Sequence, residues 1–173
     1  MDIRILTPAD ADAYWAFRLE ALKQEPDAFS MSAEEHRTTT VEHASAQLGT
    51  DPSNSFMVGA FVDGKLIGMA GFVRERRLKT RHIGNVVGVY VTAQARGRGI
   101  GRSLMKTLLE HAARIEGIEQ IVLSVTTTQT AAVALYQAFG FQSFGREPRA
   151  LKIAERYFDT EHMVLYVGDS AGR

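Results

Sequence analysis

The chain predicts an α/β (α+β) sandwich, a central mixed and mostly antiparallel sheet of about seven strands flanked by about four helices. Three observations predict it. Helical and strand periodicities alternate in the order β-α-α-β-β-β-α-β-α-β-β. Asp63-Gly64 splits two apolar runs in the middle of the chain, a strong hairpin signal. A β-rich run then passes through a glycine-rich turn straight into an amphipathic helix.

The elements follow in order. Asp2–Leu6 reads as an opening strand, and Thr7-Pro8 as an N-cap with proline at the first helical position. The helix it starts sets Tyr14, Phe17 and Ala21 beside Trp15, Leu19 and Leu22, and Pro26 ends it. Ala33–Leu48 is a second, more polar helix, with stop signals from Gly49 to Ser53. Ser55–Val62 and Leu66–Arg74 are the hairpin strands, Arg74–Arg81 a charged loop or strand extension, and Ile83–Val91 a longer strand. Arg102–Glu116 is helical through Leu104, Leu108, Ala112 and Ile115, and Gly117 closes it. Gln120–Val125 is a buried strand, Thr130–Phe139 a short helix ended by Gly140, and Phe141–Gly145 and Arg156–Val167 two final strands.

At 173 residues the chain is sized for one domain, residues 1–173. Twenty basic and twenty acidic residues cancel, so no global field favours nucleic acid or an anionic membrane. The absence of cysteine excludes disulfides, thiolate metal sites and cysteine nucleophiles. Met1–Leu6 carries an early acid and no long apolar stretch, so no secretory leader is expected. No run of apolar residues is long enough to span a bilayer, and a cytoplasmic protein is expected. His111 reads as structural, and no histidine pair has metal-ligand spacing, so no metal is expected.

The chemistry concentrates in Arg96-Gly97-Arg98-Gly99-Ile100-Gly101-Arg102. Glycines at 97, 99 and 101 let backbone amides approach a ligand, and the new helix adds unpaired N–H groups and a positive dipole end. Together these suit a phosphate or pyrophosphate, with Arg96, Arg98 and Arg102 adding charge. The same residues also read as a ligand-free strand-to-helix turn. A dinucleotide-binding turn needs Gly-x-Gly-x-x-Gly, and a P-loop needs lysine where Arg102 stands.

At this point the sequence resembles the GNAT superfamily of acetyl-CoA-dependent N-acetyltransferases. Their Gln/Arg-x-x-Gly-x-Gly/Ala loop is matched in full by Arg96–Gly101. Their Asn-x-x-Ala-x-x-Leu-Tyr-x-x-x-Gly-Phe motif aligns with Gln129–Phe141, matching at Ala132, Leu135, Tyr136, Gly140 and Phe141. The resemblance implies a GNAT-like sandwich that uses acetyl-CoA as co-substrate. Val89, Tyr90 and Val91 would bond the pantetheine arm through their backbone, and the amides from Arg98 to Arg102, Ile100 included, would hold the pyrophosphate. Tyr136 would protonate the departing thiolate, since a phenol with a pKa of about 10 still carries its proton at neutral pH.

Two positions depart from the pattern. Gln129 replaces the asparagine of the second motif, and Asn85 stands where many relatives carry a glutamate acting as general base. That leaves His82, Glu34, Glu35, Glu161 and His162 as candidate bases. His82 also reads as an exposed histidine in a basic stretch, and Glu34 and Glu35 as helix-start acids. Strand alternation puts Glu161 and His162 on opposite faces, so at most one points inward. The base stays unassigned.

The expected activity is direct acetyl transfer to a primary amine, on a small molecule or a protein, with backbone amides of the central strand polarising the carbonyl. Glu20, Glu25 and Asp27 would attract a cationic amine, or serve as solvated helix charges. Two rivals are an acetyl-CoA-binding sensor without turnover and a nucleotide-phosphate binder using the same loop. Family analogy adds a homodimer through the C-terminal strands.

Overall fold

The computed structural model describes residues 1–49 and 51–168. Thr50, inside the expected stop signals, and the last five residues of the expected domain lie outside the described residues. Among the described residues seven strands form one sheet in the order β1-β2-β3-β4-β5-β7-β6. They are β1 Asp2–Ile5, β2 Ser55–Val62, β3 Lys65–Arg74, β4 Ile83–Val91, β5 Gln120–Thr126, β6 Gln142–Ile153 and β7 Arg156–Tyr166. Every pairing is antiparallel except that of β4 with β5. The helices are α1 Ala11–Gln24, α2 Ala33–Arg37, α3 Val41–Gln47, α4 Ile100–Ala112 and α5 Thr130–Ala138. Among the described residues no helix is long and apolar enough to cross a membrane.

Two cores lie on the two faces of the sheet. On one face α4 buries Leu104, Met105, Leu108 and Ala112 against Phe72, Val86, Ile121 and Leu123, and α5 adds Tyr136. On the other, Tyr14, Phe17 and Ala21 of α1 pack with Ala44 of α3 on Met69 and Tyr90. This helical stripe at spacings of three and four is what fixes α1 to the sheet. Asp63 and Gly64 both take positive φ, 50° and 76°, as the hairpin between β2 and β3 requires. His111 packs its ring 5.7 Å from that of Phe56.

The expected single helix over Ala33–Leu48 is broken into α2 and α3. Three consecutive threonines cause the break. The hydroxyls of Thr38 and Thr39 donate back to the carbonyls of Glu35 and His36, both at 2.7 Å. Thr40 then turns extended, with φ −113° and ψ 162°, and caps α3 by accepting from the His43 N–H at 3.2 Å. Among the described residues the sheet is therefore flanked by five helices, one more than expected.

The strand expected over Phe141–Gly145 runs on to Ile153 as β6. Its second half hides from a period-two reading because the register shifts between Glu147 and Leu151. Pro148 lies in that bulge and Arg149 takes φ 56°. Asp159 holds the bulge, accepting from the Arg149 N–H at 2.8 Å and from Arg146 at 2.7 Å. The helix expected from Arg102 begins two residues earlier, at Ile100, and ends sooner, at Ala112.

Candidate active site

Strands β4 and β5 run side by side only briefly. They pair at Ile83–Gln120, Gly84–Ile121 and Asn85–Val122, and then part. The other edge of β4 explains the parting. Val87 pairs with Gly71 and Tyr90 with Met69, so three steps along β4 match two along β3. The extra residue falls at Gly88, whose φ of 61° is left-handed. A bulge of this kind bends its strand and increases its twist. From Val89 to Val91 the backbone edge facing β5 therefore has no strand partner among the described residues, which is what an extended ligand arm needs in order to join as an added strand.

Beyond Val91 the chain turns through a short helical turn at Ala93–Ala95 into the glycine loop. Gly97 and Gly99 take φ 74° and 77°, and Gly99 occupies the N-cap position of α4. A Cβ at either would meet no atom within 4 Å among the described residues, so the loop surface there is open. Gly101 differs: it lies in the first helical turn, where a Cβ would stand 3.4 Å from Leu135 of α5. The first helical hydrogen bond is that of the Ser103 N–H to the Gly99 carbonyl, at 3.0 Å. The amides of Ile100, Gly101 and Arg102 precede it and have no helical carbonyl to meet. This is an open cradle of N–H groups with a helix dipole behind it, the chemistry that binds a diphosphate.

The three arginines of the loop do different things. Arg96 donates from Nε to the Val91 carbonyl at 3.0 Å and from Nη2 to Glu25 at 2.8 Å, with its guanidinium 5.7 Å from the Tyr90 ring centre. Arg102 lies 5.6 Å from the Phe139 ring centre, and Arg98 is exposed.

The opposite lip of the cleft is the end of β5 and the start of α5. Gln129 reaches across to Asp27 Oδ1 at 3.4 Å and Glu25 Oε2 at 3.5 Å. The Thr128 hydroxyl donates to Asp27 Oδ2 at 2.7 Å, and that of Thr126 to the Asp27 carbonyl. Tyr136, one turn and a half into α5, is buried with its ring edge-on to Phe141. Burial pushes its phenol up to about 12, so it stays protonated across the whole neutral range.

The acids expected to draw in a cation are already partnered. Glu20 accepts from the hydroxyls of Tyr90 and Thr92. Glu25 and Asp27 hold Arg96, Gln129 and Thr128. Glu35 closes a capping box with Ser32 at the start of α2, and Glu34 lies 3.7 Å from Arg37. His82 sits at the start of β4, its carbonyl accepting from the Glu119 and Gln120 N–H groups, away from the point where the strands part.

Register separates Glu161 from His162. Glu161 pairs with Val125, which faces the core under α4 and α5. His162 pairs with Ser124 on the face that also carries Thr126 and the Asp27 loop. There the imidazole shares a hydrogen bond with Ser124 Oγ at 2.8 Å through Nδ1 and with Glu147 Oε2 at 3.2 Å through Nε2. Sequence reasoning missed Ser124 and Glu147, since cross-strand partners leave no local signal. It also missed Glu75, which accepts from the Asn85 amide at 3.0 Å and so brings a carboxylate beside the position where a glutamate was expected. Gly88 did carry a signal, a lone glycine inside a β-rich run.

Comparison with known proteins agrees with this geometry. Residues 16–141 match the model of the Acetyltransferase (GNAT) family. N-acetyltransferase 8 of Homo sapiens is 34% identical over 89 residues, which cover 47% of this chain and 36% of that protein. The N-alpha-acetyltransferase RimI of Mycobacterium tuberculosis (strain ATCC 25618 / H37Rv) is 38% identical over 104 residues, 60% of this chain and 61% of that protein. The chain thus spans less than two thirds of either relative. An acetyltransferase of the GNAT family from Streptococcus pneumoniae superposes with a TM-score of 0.81 at 27% identity, covering 96% of this chain and 99% of its own. The fold is also that of yncA, a putative acetyltransferase from Salmonella typhimurium solved with acetyl-CoA, with a TM-score of 0.85 at 23% identity over 100% of this chain and 97% of that one. With the motif-bearing loop, the parted strands and a family match across most of its length, the chain belongs to the acetyltransferase (GNAT) family.

Proposed function

We propose that the chain transfers the acetyl group of acetyl-CoA directly to a primary amine. One observation carries the reading: β4 and β5 part at Asn85 and Val122, and the gap leads to open amides at the start of α4. The residues fit the co-substrate. Val89, Tyr90 and Val91 take the pantetheine arm along the backbone edge that β5 leaves unpaired, where Arg96 already holds the Val91 carbonyl. The amides of Gly97 to Arg102 take the pyrophosphate, with side-chain charge from Arg98 and Arg102. Bound acetyl-CoA supplies an activated thioester.

The chain's own groups then manage two protons. As the amine nitrogen bonds to the acetyl carbon and the carbon–sulfur bond breaks, Tyr136 gives its proton to the departing thiolate. The proton shed by nitrogen passes through Ser124 to His162, which Glu147 orients from its far side. Ser124 lies two residues beyond the last β4–β5 pair, on the stretch of β5 that has parted from β4. Much of the acceleration comes from holding the two substrates together.

The same reading places the enzyme in the cytoplasm and pairs two copies along β6, an edge strand that exposes Phe144. A monomer in sedimentation equilibrium rejects that pairing. The activity is tested by calorimetry with acetyl-CoA, then by thiol release across a panel of amines. Binding followed by amine-dependent release is the expected result. Binding without release on any amine points to the sensor, and no binding rejects the whole reading.

A further inference from the structure

Arg18 projects from α1 onto β4 at its bulge. A Cβ placed on Gly88 would stand 3.1 Å from Arg18 Nη1. The side chain is half-buried and lines a groove of about 940 Å³ together with Tyr14, Met31, Met57 and Val87. Its neighbours are the Tyr14 hydroxyl and the Phe29 ring, whose centre is 5.9 Å from the guanidinium carbon. Among the described residues no carboxylate lies within ion-pair distance of it.

A guanidinium cannot shed its proton, so its charge stays in place whatever surrounds it. Its planar fork matches a carboxylate in two parallel hydrogen bonds. The acids that might have answered it are held elsewhere: Glu20 by Tyr90 and Thr92, Glu25 by Arg96, Asp27 by Thr128. The rest of the groove does not neutralise it either. Arg74, Arg76 and Arg81 line the same walls, against Asp51 and Glu75.

We propose that Arg18 binds the carboxylate of the acceptor, and that the acceptor is an α-amino acid. This rests on the acetyl transfer proposed above. That reading sets the acetyl group where β4 has parted from β5, and Arg18 Nη1 reaches the same stretch of β4, 3.1 Å from where a Cβ on Gly88 would stand. Amine and carboxylate must then be joined through very few atoms, and a single shared carbon satisfies this. A peptide N-terminus has a carbonyl where the carboxylate would be, which accepts one hydrogen bond but leaves the guanidinium's charge unmatched. A polyamine presents a second cation to it.

The test compares protein α-amino acids with their carboxamides and with the amines lacking the carboxyl group, each against acetyl-CoA with thiol release as readout. The carboxamides have the less basic amines and so more free base at a given pH. A preference for the acids therefore cannot come from the fraction of free amine. For at least one side chain the acid should be used roughly tenfold or more better than its carboxamide in kcat/KM. Arg18→Gln should bring the acid down to its carboxamide, and Arg18→Lys should restore part of the difference. Calorimetry with acetyl-CoA on each protein separates the two readings. If acetyl-CoA binds and carboxamides or simple amines are used as well as the acids, the carboxylate site is overturned while acetyl transfer stands. Failure of every amino acid with a protein that binds acetyl-CoA overturns it too. Should Arg18→Gln not fold, the comparison of acid with carboxamide in the unaltered protein decides alone.

Discussion

Arg96 and Gln129 stand on opposite lips of the cleft, and both donate to the Glu25 carboxylate, at 2.8 Å and 3.5 Å. Arg96 also holds the Val91 carbonyl at the end of β4, so the carboxylate ties the two diverging strands to the segment after α1. The cleft is thus braced from outside at the point where its own strand pairing has stopped.

That brace should appear as coupling. Both partners of the Glu25–Arg96 pair are partly exposed, with a quarter of the first side chain and about half of the second open to solvent, so screening limits its strength. A double-mutant cycle with Glu25→Ala and Arg96→Ala in thermal unfolding should give a coupling of about 0.5–1 kcal/mol. Strictly additive effects would mean that the two side chains are neighbours without being partners.

Tyr136 makes a prediction in both rate and pH. Tyr136→Phe should lower kcat roughly a hundredfold and leave acetyl-CoA affinity within about twofold, since only the donated proton is lost. The phenol is raised to about 12 by burial, so it remains a proton donor as pH climbs past 10, and no alkaline fall in kcat below that should trace to it. Stability follows the same sign. An unfolded tyrosine ionises at about 10 while the folded one holds its proton to about 12, so stability is lost across that interval, and the phenylalanine variant should lack this loss. Unchanged turnover in the variant would remove Tyr136 from the reaction.

What the sequence made legible was local. The Asp63-Gly64 hairpin, the Gly97–Gly99 loop and the stripe on α4 each depend on residues within a turn or two of one another, and each stands where expected. The break at Thr38–Thr40 was also local but hidden, because hydroxyl back-bonding does not disturb the spacing of apolar residues. The second half of β6 escaped because its bulge destroys the alternation that marks a strand. The site divided in the same way. Its cofactor cradle lies in one stretch of chain, whereas Ser124, Glu147 and Arg18 acquire meaning only through partners dozens of residues away.

The two faces of β7 allow a clean control on the proton acceptor. Glu161 and His162 are adjacent in sequence, yet one pairs with Val125 above the α4 core and the other with Ser124 on the cleft face. His162→Gln keeps a hydrogen-bonding side chain of similar reach but cannot take a proton, and should lower kcat/KM roughly a hundredfold. Glu161→Gln should change it by less than about threefold. Glu147→Gln should fall between them, because it orients the ring without meeting the amine. Equal losses at positions 161 and 162 would point to general damage to β7 instead.

Gly99 tests the cradle. Its φ of 77° strains any residue with a Cβ, at a cost of about 1 kcal/mol, yet a Cβ there meets no atom within 4 Å, so the fold should survive substitution. A carboxylate at the start of α4 is itself favoured by the helix dipole, which keeps Gly99→Glu from losing much more than Gly99→Ala in thermal unfolding. The two variants should part over acetyl-CoA. Alanine adds only strain, and calorimetry should find affinity reduced by no more than about tenfold. Glutamate brings its charge to the amides that the diphosphate needs, and binding should fall by more than about a hundredfold. A glutamate variant that binds acetyl-CoA as the native chain does would mean that the diphosphate is held somewhere other than the start of α4.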